Sequence, residues 1–355
     1  MKKWLLIFVL GILMLGYLFR GELSLRLMER VVTSNMAGSL LDELEDGLHV
    51  ILCGAGSPLP DPMRSGPCTA VVAGEQLLIF DTGAGANGVM GQLRLPQGDI
   101  DAIFLTHFHS DHIDGLGELM MQRWVGGTHQ TPLGIYGPTG VERVVNAFNA
   151  AYAQDDVYRT AQHGEAIAPS GGKDGNPIEF TTPLEGELTV VYEQDGVIVS
   201  SFAVDHFPVV PAVGYRVDYG GRSVVISGDT VRSANLEALS FGVDVLVHEA
   251  LSPELVMLIN RGAEANGRDN IATIAIDILD YHTTPVEAAQ SAAETDAGYL
   301  LLTHIVPPLP ISTLEKPFLR GVSDVYSGDV KIGKDGSMVS LPSNSEQIVA
   351  SELLY

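Results

Sequence analysis

Three histidines and one aspartate fall within six residues at His107-Phe108-His109-Ser110-Asp111-His112, and this cluster restricts the fold of the chain more than any other stretch. Imidazole and carboxylate donors suit zinc, iron or manganese. Four of them crowd a single ion and leave no open position for a substrate. The spacing therefore points to two adjacent ions and to a hydrolase in which they activate a water. The cluster follows residues 100–106, Ile-Asp-Ala-Ile-Phe-Leu-Thr, which read as a buried strand. At a strand end, residues i and i+2 face the same side, so His107 and His109 can grip one ion. Asp111 and His112 come after a turn and can face a second. Gly115 and Gly117 then lead into a helix marked by Leu116, Leu119, Met120 and Trp124.

A two-ion site needs donors from elsewhere, and three residues stand in matching contexts. His206 closes the apolar run 197–206, Asp229 closes 223–229 behind Gly228, and His304 closes 299–304. Layered sheet proteins build their sites at such strand ends. His49, His129 and His163 lack a motif partner and read as structural. Gly54-Ala-Gly-Ser57 lacks a third glycine opening a helix, so it is not read as a dinucleotide loop.

Read together, the pieces resemble the metallo-β-lactamase superfamily. Asp81-Thr-Gly, the His107–His112 cluster, His206, Ser227-Gly-Asp-Thr230, His248-Glu-Ala250 and Thr303-His304 run in order across roughly residues 48–305. Gly228-Asp-Thr230, His248-Glu-Ala250, His282-Thr-Thr284 and the opening Cys53-Gly-Ala-Gly-Ser-Pro-Leu-Pro-Asp-Pro62 fit the ribonuclease Z and arylsulfatase-like branch better than the lactamases. The resemblance implies an α+β four-layer αββα sandwich with the metals at one edge. It assigns His107, His109 and His206 to one ion, Asp111, His112 and His304 to the other, and Asp229 to a bridge between them. It also implies that His248 protonates the leaving group, that Asp81 orients ligands from behind, and that His282 lies nearby in a less defined role. Asp111 and His248 are thus the expected catalytic residues. Glu249 either orients His248 or faces solvent.

The N-terminus reads differently from the rest. Lys2 and Lys3 precede sixteen uncharged residues, Trp4 to Phe19, about 24 Å of helix against a bilayer core of about 30 Å. Residues 1–20 are expected to be a signal anchor or signal peptide, with the body membrane-anchored or exported, the periplasmic side favoured and a cytoplasmic-facing body left open. Residues 21–47 read as a linker or amphipathic helix, 48–342 as the hydrolase domain and 343–355 as a C-terminal tail. Free buried thiols are the simpler reading of Cys53 and Cys68, with one disulfide as the alternative.

The expected function is a metal-dependent hydrolase that cleaves a small ester, an aryl sulfate or phosphodiester, with a hydroxide bridged by two divalent ions. Zinc is expected, with manganese or iron as alternatives. A ribonuclease Z-like endoribonuclease acting on tRNA 3′ ends is the first alternative, and a non-catalytic metal-binding or sensory module is one of another class. A net charge of −24 disfavours nucleic acid as a partner. Residues 153–187 read as a loop-rich acidic insert, with only Arg159 and Lys173 among its acids. The expected partners are a small-molecule ester, a membrane through the N-terminal segment, and a second copy of the chain as a homodimer.

Overall fold

Short runs of Val, Ile, Leu and Phe bounded by glycines and acids generate a strand-rich body. The computed structural model describes residues 2–354, and its chain divides into two units, Met1–Glu43 and Leu44–Tyr355. The second unit holds two sheets. The first orders its strands as β15-β14-β1-β2-β3-β4-β5-β6, comprising β1 (Gly47–Gly54), β2 (Cys68–Ala73), β3 (Gln76–Phe80), β4 (Ile100–Phe104), β5 (Leu133–Pro138), β6 (Gly175–Phe180), β14 (Ser337–Pro342) and β15 (Val349–Glu352). The second orders as β13-β12-β11-β10-β9-β8-β7, comprising β7 (Thr189–Gln194), β8 (Val197–Ala203), β9 (Val213–Tyr219), β10 (Arg222–Ile226), β11 (Val245–Leu251), β12 (Tyr299–Val306) and β13 (Asp329–Ile332). The β9–β10 hairpin turns at Gly220 and Gly221, whose φ values of 57° and 79° suit the twist of a two-residue hairpin loop and favour glycine.

The sheets pack face to face. Val50, Val71, Phe80 and Phe104 from the first share one buried cluster with Val199, Tyr215, Val224, Val245 and Leu301 from the second. Phe80 and Phe104 stack with ring centroids 4.9 Å apart, and Tyr215 meets Phe104 edge-on at 5.6 Å. The buried Tyr215 hydroxyl donates to the Leu105 carbonyl at 2.6 Å. That bond satisfies the phenol and ties the chain just ahead of His107 to the second sheet. Helices Ala86–Leu93, Leu116–Gly127 and Val141–His163 pack along the first sheet, and Ala234–Leu239 and Pro285–Glu294 along the second. This is the expected four-layer αββα arrangement. Thr284 opens the last of these helices with a complete capping box to Glu287, which fixes the helix start two residues after His282.

Four expectations change. The helix Lys2–Leu18 has 17 residues, and no helix among the described residues is long and apolar enough to cross a membrane; the expected membrane-spanning anchor is not supported. Residues 21–47 do not form one element: helix Arg20–Asn35 stops well short of Gly47, which begins β1. The supposed loop-rich insert is largely ordered, because helix Val141–His163 and strand β6 occupy much of it. The supposed C-terminal tail supplies β15, paired antiparallel with β14.

Cys53 and Cys68 are joined, with Cα atoms 5.0 Å apart, so the free-thiol reading also gives way. Cys53 stands one residue before the end of β1 and Cys68 opens β2, so the bond closes the loop between the two strands. A loop of this length gives about 3 kcal/mol by the chain-entropy argument. Cys53→Ser with Cys68→Ser is therefore predicted to lower the oxidised protein's denaturation free energy by about 2–4 kcal/mol. Matching urea midpoints for variant and wild type would contradict this.

Candidate metal centre

The site forms where both sheets present the same ends of their strands. Asp81 follows β3 with φ 57°, and its carboxylate works behind the ligands. Oδ1 accepts from Thr106 N at 2.9 Å, while Oδ2 accepts from Thr106 Oγ1 and His112 Nδ1, both at 2.8 Å. Since the Thr106 hydroxyl donates to Asp81, it can accept from His107 Nδ1, 3.1 Å away. His107 and His112 are thereby held with Nε2 bare. Asp81 therefore bonds His112 directly and reaches His107 through Thr106, a link that no motif revealed.

The seven expected donors converge. Ligand atoms of His107, His109, His206 and Asp229 lie within 4.8 Å of one another, as do those of Asp111, His112 and His304. Asp229 Oδ2 joins the two groups. It stands 3.3 Å from both His112 Nε2 and His304 Nε2, and 3.9 Å from both His107 Nε2 and His206 Nε2. His304 Nε2 is also 3.3 Å from Asp111 Oδ2.

The donors fit a pair of cations on their own chemistry. His206 Nδ1 donates to the Tyr281 carbonyl at 2.9 Å, leaving its Nε2 as a lone pair 3.5 Å from His109 Nδ1. His107 Nε2, His112 Nε2 and Asp229 Oδ1 are buried and have no hydrogen-bond partner. Buried polar atoms left in this state are costly, and a cation removes the cost. Burial, then His112, pushes His107 well below the usual imidazole range, and burial likewise lowers His109 and His206, so these three are neutral and able to ligate. Burial opposes the charges on Asp229 and His112. Neighbouring His304 and His112 nevertheless hold Asp229 well below the carboxylate range, and Asp229 and Asp81 raise His112 well above the imidazole range. The field that would protonate His112 is the one that attracts a cation.

His248 does not reach this cluster. Alternate residues of a strand face opposite ways. On β11, Val245 and Val247 enter the cluster between the sheets, whereas Leu246 and Ala250 pack into the cluster beneath the helices. His248 shares the side of Leu246, is fully buried, and donates Nδ1 to the Glu249 carbonyl at 2.9 Å. Its expected catalytic position is corrected on this geometry. Glu249, one residue on, faces the site and neither solvent nor His248. Its Oε1 accepts from His282 Nδ1 at 2.8 Å and from the Thr230 and Thr283 amides, each at 3.2 Å. His282 meets Asp229 and His304 in a third ligand-distance group, with its ring centroid 5.4 Å from His304 and 5.2 Å from His206. Burial lowers His282, but Glu249 outweighs it and pushes the imidazole up to about 9. His49 and His129 are structural, bonded through Nε2 to the carbonyls of Glu45 and Gly98.

The metallo-beta-lactamase superfamily model matches residues 62–304, spanning every donor named above. This chain belongs to that superfamily. Among curated relatives, it is similar to a ribonuclease Z of Mycobacterium sp. (strain KMS), 39% identical over 289 residues, which covers 81% of this chain and 94% of the relative. Two solved structures share the fold at 22% identity. The metallo-beta-lactamase fold protein YhfI from Bacillus subtilis has a TM-score of 0.59 and covers 83% of this chain and 100% of its own. Human tRNase Z, short form, has a TM-score of 0.55 and covers 83% and 99%. The arylsulfatase-like half of the sequence expectation finds no counterpart among these relatives, whereas the ribonuclease Z half does. As a member of the superfamily, the chain is a metal-dependent hydrolase acting on ester bonds.

Backbone geometry makes one position of the centre sensitive. Gly228 has φ 62°, and a Cβ there would stand 2.8 Å from the Val213 carbonyl oxygen and 3.0 Å from Thr106 Cβ. Gly228→Ala is predicted to cost at least about 1–3 kcal/mol of stability and to weaken metal retention, because relief must move either Asp229 or Thr106. Calorimetry with metal analysis checks this; an unchanged melting temperature at full metal content would contradict it.

Proposed function

We propose that the chain is a two-metal phosphodiesterase of the ribonuclease Z type that releases an RNA 3′ extension. One observation carries the reading: two donor groups share Asp229, and His282, backed by Glu249, stands at their edge. Ions bound to these groups would supply Lewis-acid polarisation of a phosphoryl oxygen and a water of lowered pKa. Zinc suits the donors, with manganese or iron acceptable. The chain's own residues do the rest. Asp111, at the mouth of the centre, both ligates and accepts a proton from the attacking water. The water oxygen bonds to phosphorus, the bond from phosphorus to the leaving oxygen breaks, and His282 passes its proton to that oxygen. Glu249 holds His282 in the donating orientation throughout. His282 takes the role the sequence had given to His248. The ribonuclease Z name of the 39%-identical relative supports a phosphodiester over a sulfate and brings nucleic acid back as a partner.

A second reading, a small phosphodiester handled outside the reducing cytoplasm, draws on two features. Residues 44–355 carry fifteen Lys and Arg against forty Asp and Glu, and eight of those cations (Arg64, Arg159, Arg216, Arg222, Arg232, Arg320, Lys331 and Lys334) are paired with carboxylates. A polyanion gains little from such a surface. The Cys53–Cys68 bond suits an oxidising compartment. The two readings separate on turnover of precursor tRNA against bis(p-nitrophenyl) phosphate by the metal-loaded protein. Precise 3′ cleavage, with kcat/KM above that of the small diester, supports the first reading. Diester turnover without RNA cleavage rejects it in favour of the second, and inactivity on both rejects the phosphodiesterase reading.

A further inference from the structure

The segment that joins β1 to β2 backs one of the two donor groups from both of its ends. On the first arm, the Ala55 carbonyl accepts from Ile305 N at 3.0 Å. The residue before Ile305 is the donor His304. Its φ of 46° is left-handed backbone that a histidine seldom adopts. Pairing with β11 does not fix it: Thr303 lies opposite Glu249 and Ile305 opposite Ala250, so His304 is the bulged residue between them. Such a conformation persists only where its surroundings over-determine it, and the bond to Ala55 belongs to those surroundings. On the second arm, Gly66 N donates to the Ala84 carbonyl at 2.9 Å, and the Pro67 carbonyl accepts from Gly83 N at 2.8 Å. The turn held in this way restrains the short helix Ser110–Ile113, which carries Asp111 and His112. Thr82 N donates to the His112 carbonyl at 2.8 Å, and the Thr82 carbonyl accepts from Gly115 N at 2.7 Å. Gly83 lies so close to the helix that a Cβ there would stand 2.6 Å from the Asp111 carbonyl oxygen.

Two buried groups hold the arms to each other. The Cys53–Cys68 bond joins their roots. Asp335 accepts from Ala55 N at 3.1 Å on one arm and from Ser65 N at 2.8 Å on the other. The second donor group is anchored on different bonds. His206 is set by the Tyr281 carbonyl. The Asp81–Thr106 pair behind His107 hangs on strand backbone, with Asp81 N donating to the Phe104 carbonyl at 2.9 Å and the Thr106 carbonyl accepting from Val213 N at 3.0 Å. We propose that the Cys53–Cys68 bond and Asp335 are positioning elements for one ion site. They keep His304 in place against Asp111 and His112, and the group of His107, His109 and His206 depends on them far less. The proposal rests on the two-metal part of the phosphodiesterase reading and on no particular ester.

The test equilibrates crystals of the full chain at free zinc set by a chelator and refines the zinc occupancy of each group from anomalous differences. In Cys53→Ser with Cys68→Ser, half-occupancy of the Asp111, His112 and His304 group is expected at about 10–100-fold higher free zinc than in wild type, the usual loss when a support behind a ligand is removed. The other group should stay within about threefold of wild type. Asp335→Asn keeps the disulfide and one amide acceptor, and it should shift the same group about tenfold; this variant decides the matter if the double variant does not fold. In solution, turnover of bis(p-nitrophenyl) phosphate lost by either variant at limiting zinc should return at saturating zinc, which a loss of folded protein would not allow. Equal shifts at both groups, or no shift at either, overturn the proposal. If the wild type turns over no diester, the phosphodiesterase reading fails by itself and the occupancies still decide.

Discussion

Asp229→Ala is expected to reduce turnover of bis(p-nitrophenyl) phosphate by about 10⁴-fold, close to 5.5 kcal/mol of transition-state stabilisation. The size follows from position. Asp229 Oδ2 lies within 3.9 Å of a ring nitrogen of His107, His112, His206 and His304, so it is the one carboxylate shared by both donor groups. Removing it brings several imidazole lone pairs together without the charge that makes their arrangement tolerable. The protein should then hold less than one equivalent of metal, because each group loses a ligand and the pair loses its link. Asp229→Asn keeps the shape and loses the charge, and it should fail in the same way. Mass spectrometric metal analysis beside steady-state kinetics checks both variants. Two bound equivalents with activity within about tenfold of wild type would show that Asp229 is peripheral.

His282→Asn should behave differently, since it removes a proton donor rather than a cation site. Turnover of a diester with an alkoxide leaving group is expected to fall about 10²–10³-fold, the usual yield of general acid catalysis. Bis(p-nitrophenyl) phosphate should lose less than about tenfold, because nitrophenolate leaves without needing a proton. Metal content should stay near two equivalents. Glu249→Gln should show the same dependence on leaving group at smaller amplitude, since it weakens the 2.8 Å bond that orients His282. His248→Ala, by contrast, should lower stability and leave this dependence alone, because its ring is buried on the helix-covered side of β11. Equal losses on both leaving groups in His282→Asn would remove His282 from proton transfer.

The contrast between His248 and His282 shows where sequence reading stops. The seven clustered residues were legible because His206, Asp229 and His304 each end an apolar run and the other four form one motif just behind the run 100–106, and a strand end dictates where a side chain emerges. The four layers followed from a motif set whose order spans the body of the chain. Glu249 carried a usable signal as well: counting from Val245 by twos puts positions 247 and 249 on one face and His248 on the other. Motif adjacency hid this parity. Nothing in the sequence marks the Tyr281 carbonyl as the group that turns His206, since any residue supplies a carbonyl and only the tertiary fold brings this one to 2.9 Å. Thr106 was hidden similarly, its role depending on Asp81 arriving from another strand. Strand β15 was missed because its residues, Val-Ala-Ser-Glu, are half-exposed or exposed on an edge and show no apolar alternation. The disulfide could not be read from two cysteines with fourteen residues between them, because the pairing depends on how β1 and β2 meet.

Anomalous diffraction from crystals of the zinc-loaded protein tests the central claim most directly. Two peaks are predicted, about 3.5–4 Å apart, one among His107, His109 and His206 and the other among Asp111, His112 and His304, with Asp229 reaching both. A single peak at other residues, or no peak at saturating zinc, would contradict the account of the site and of the reaction built on it.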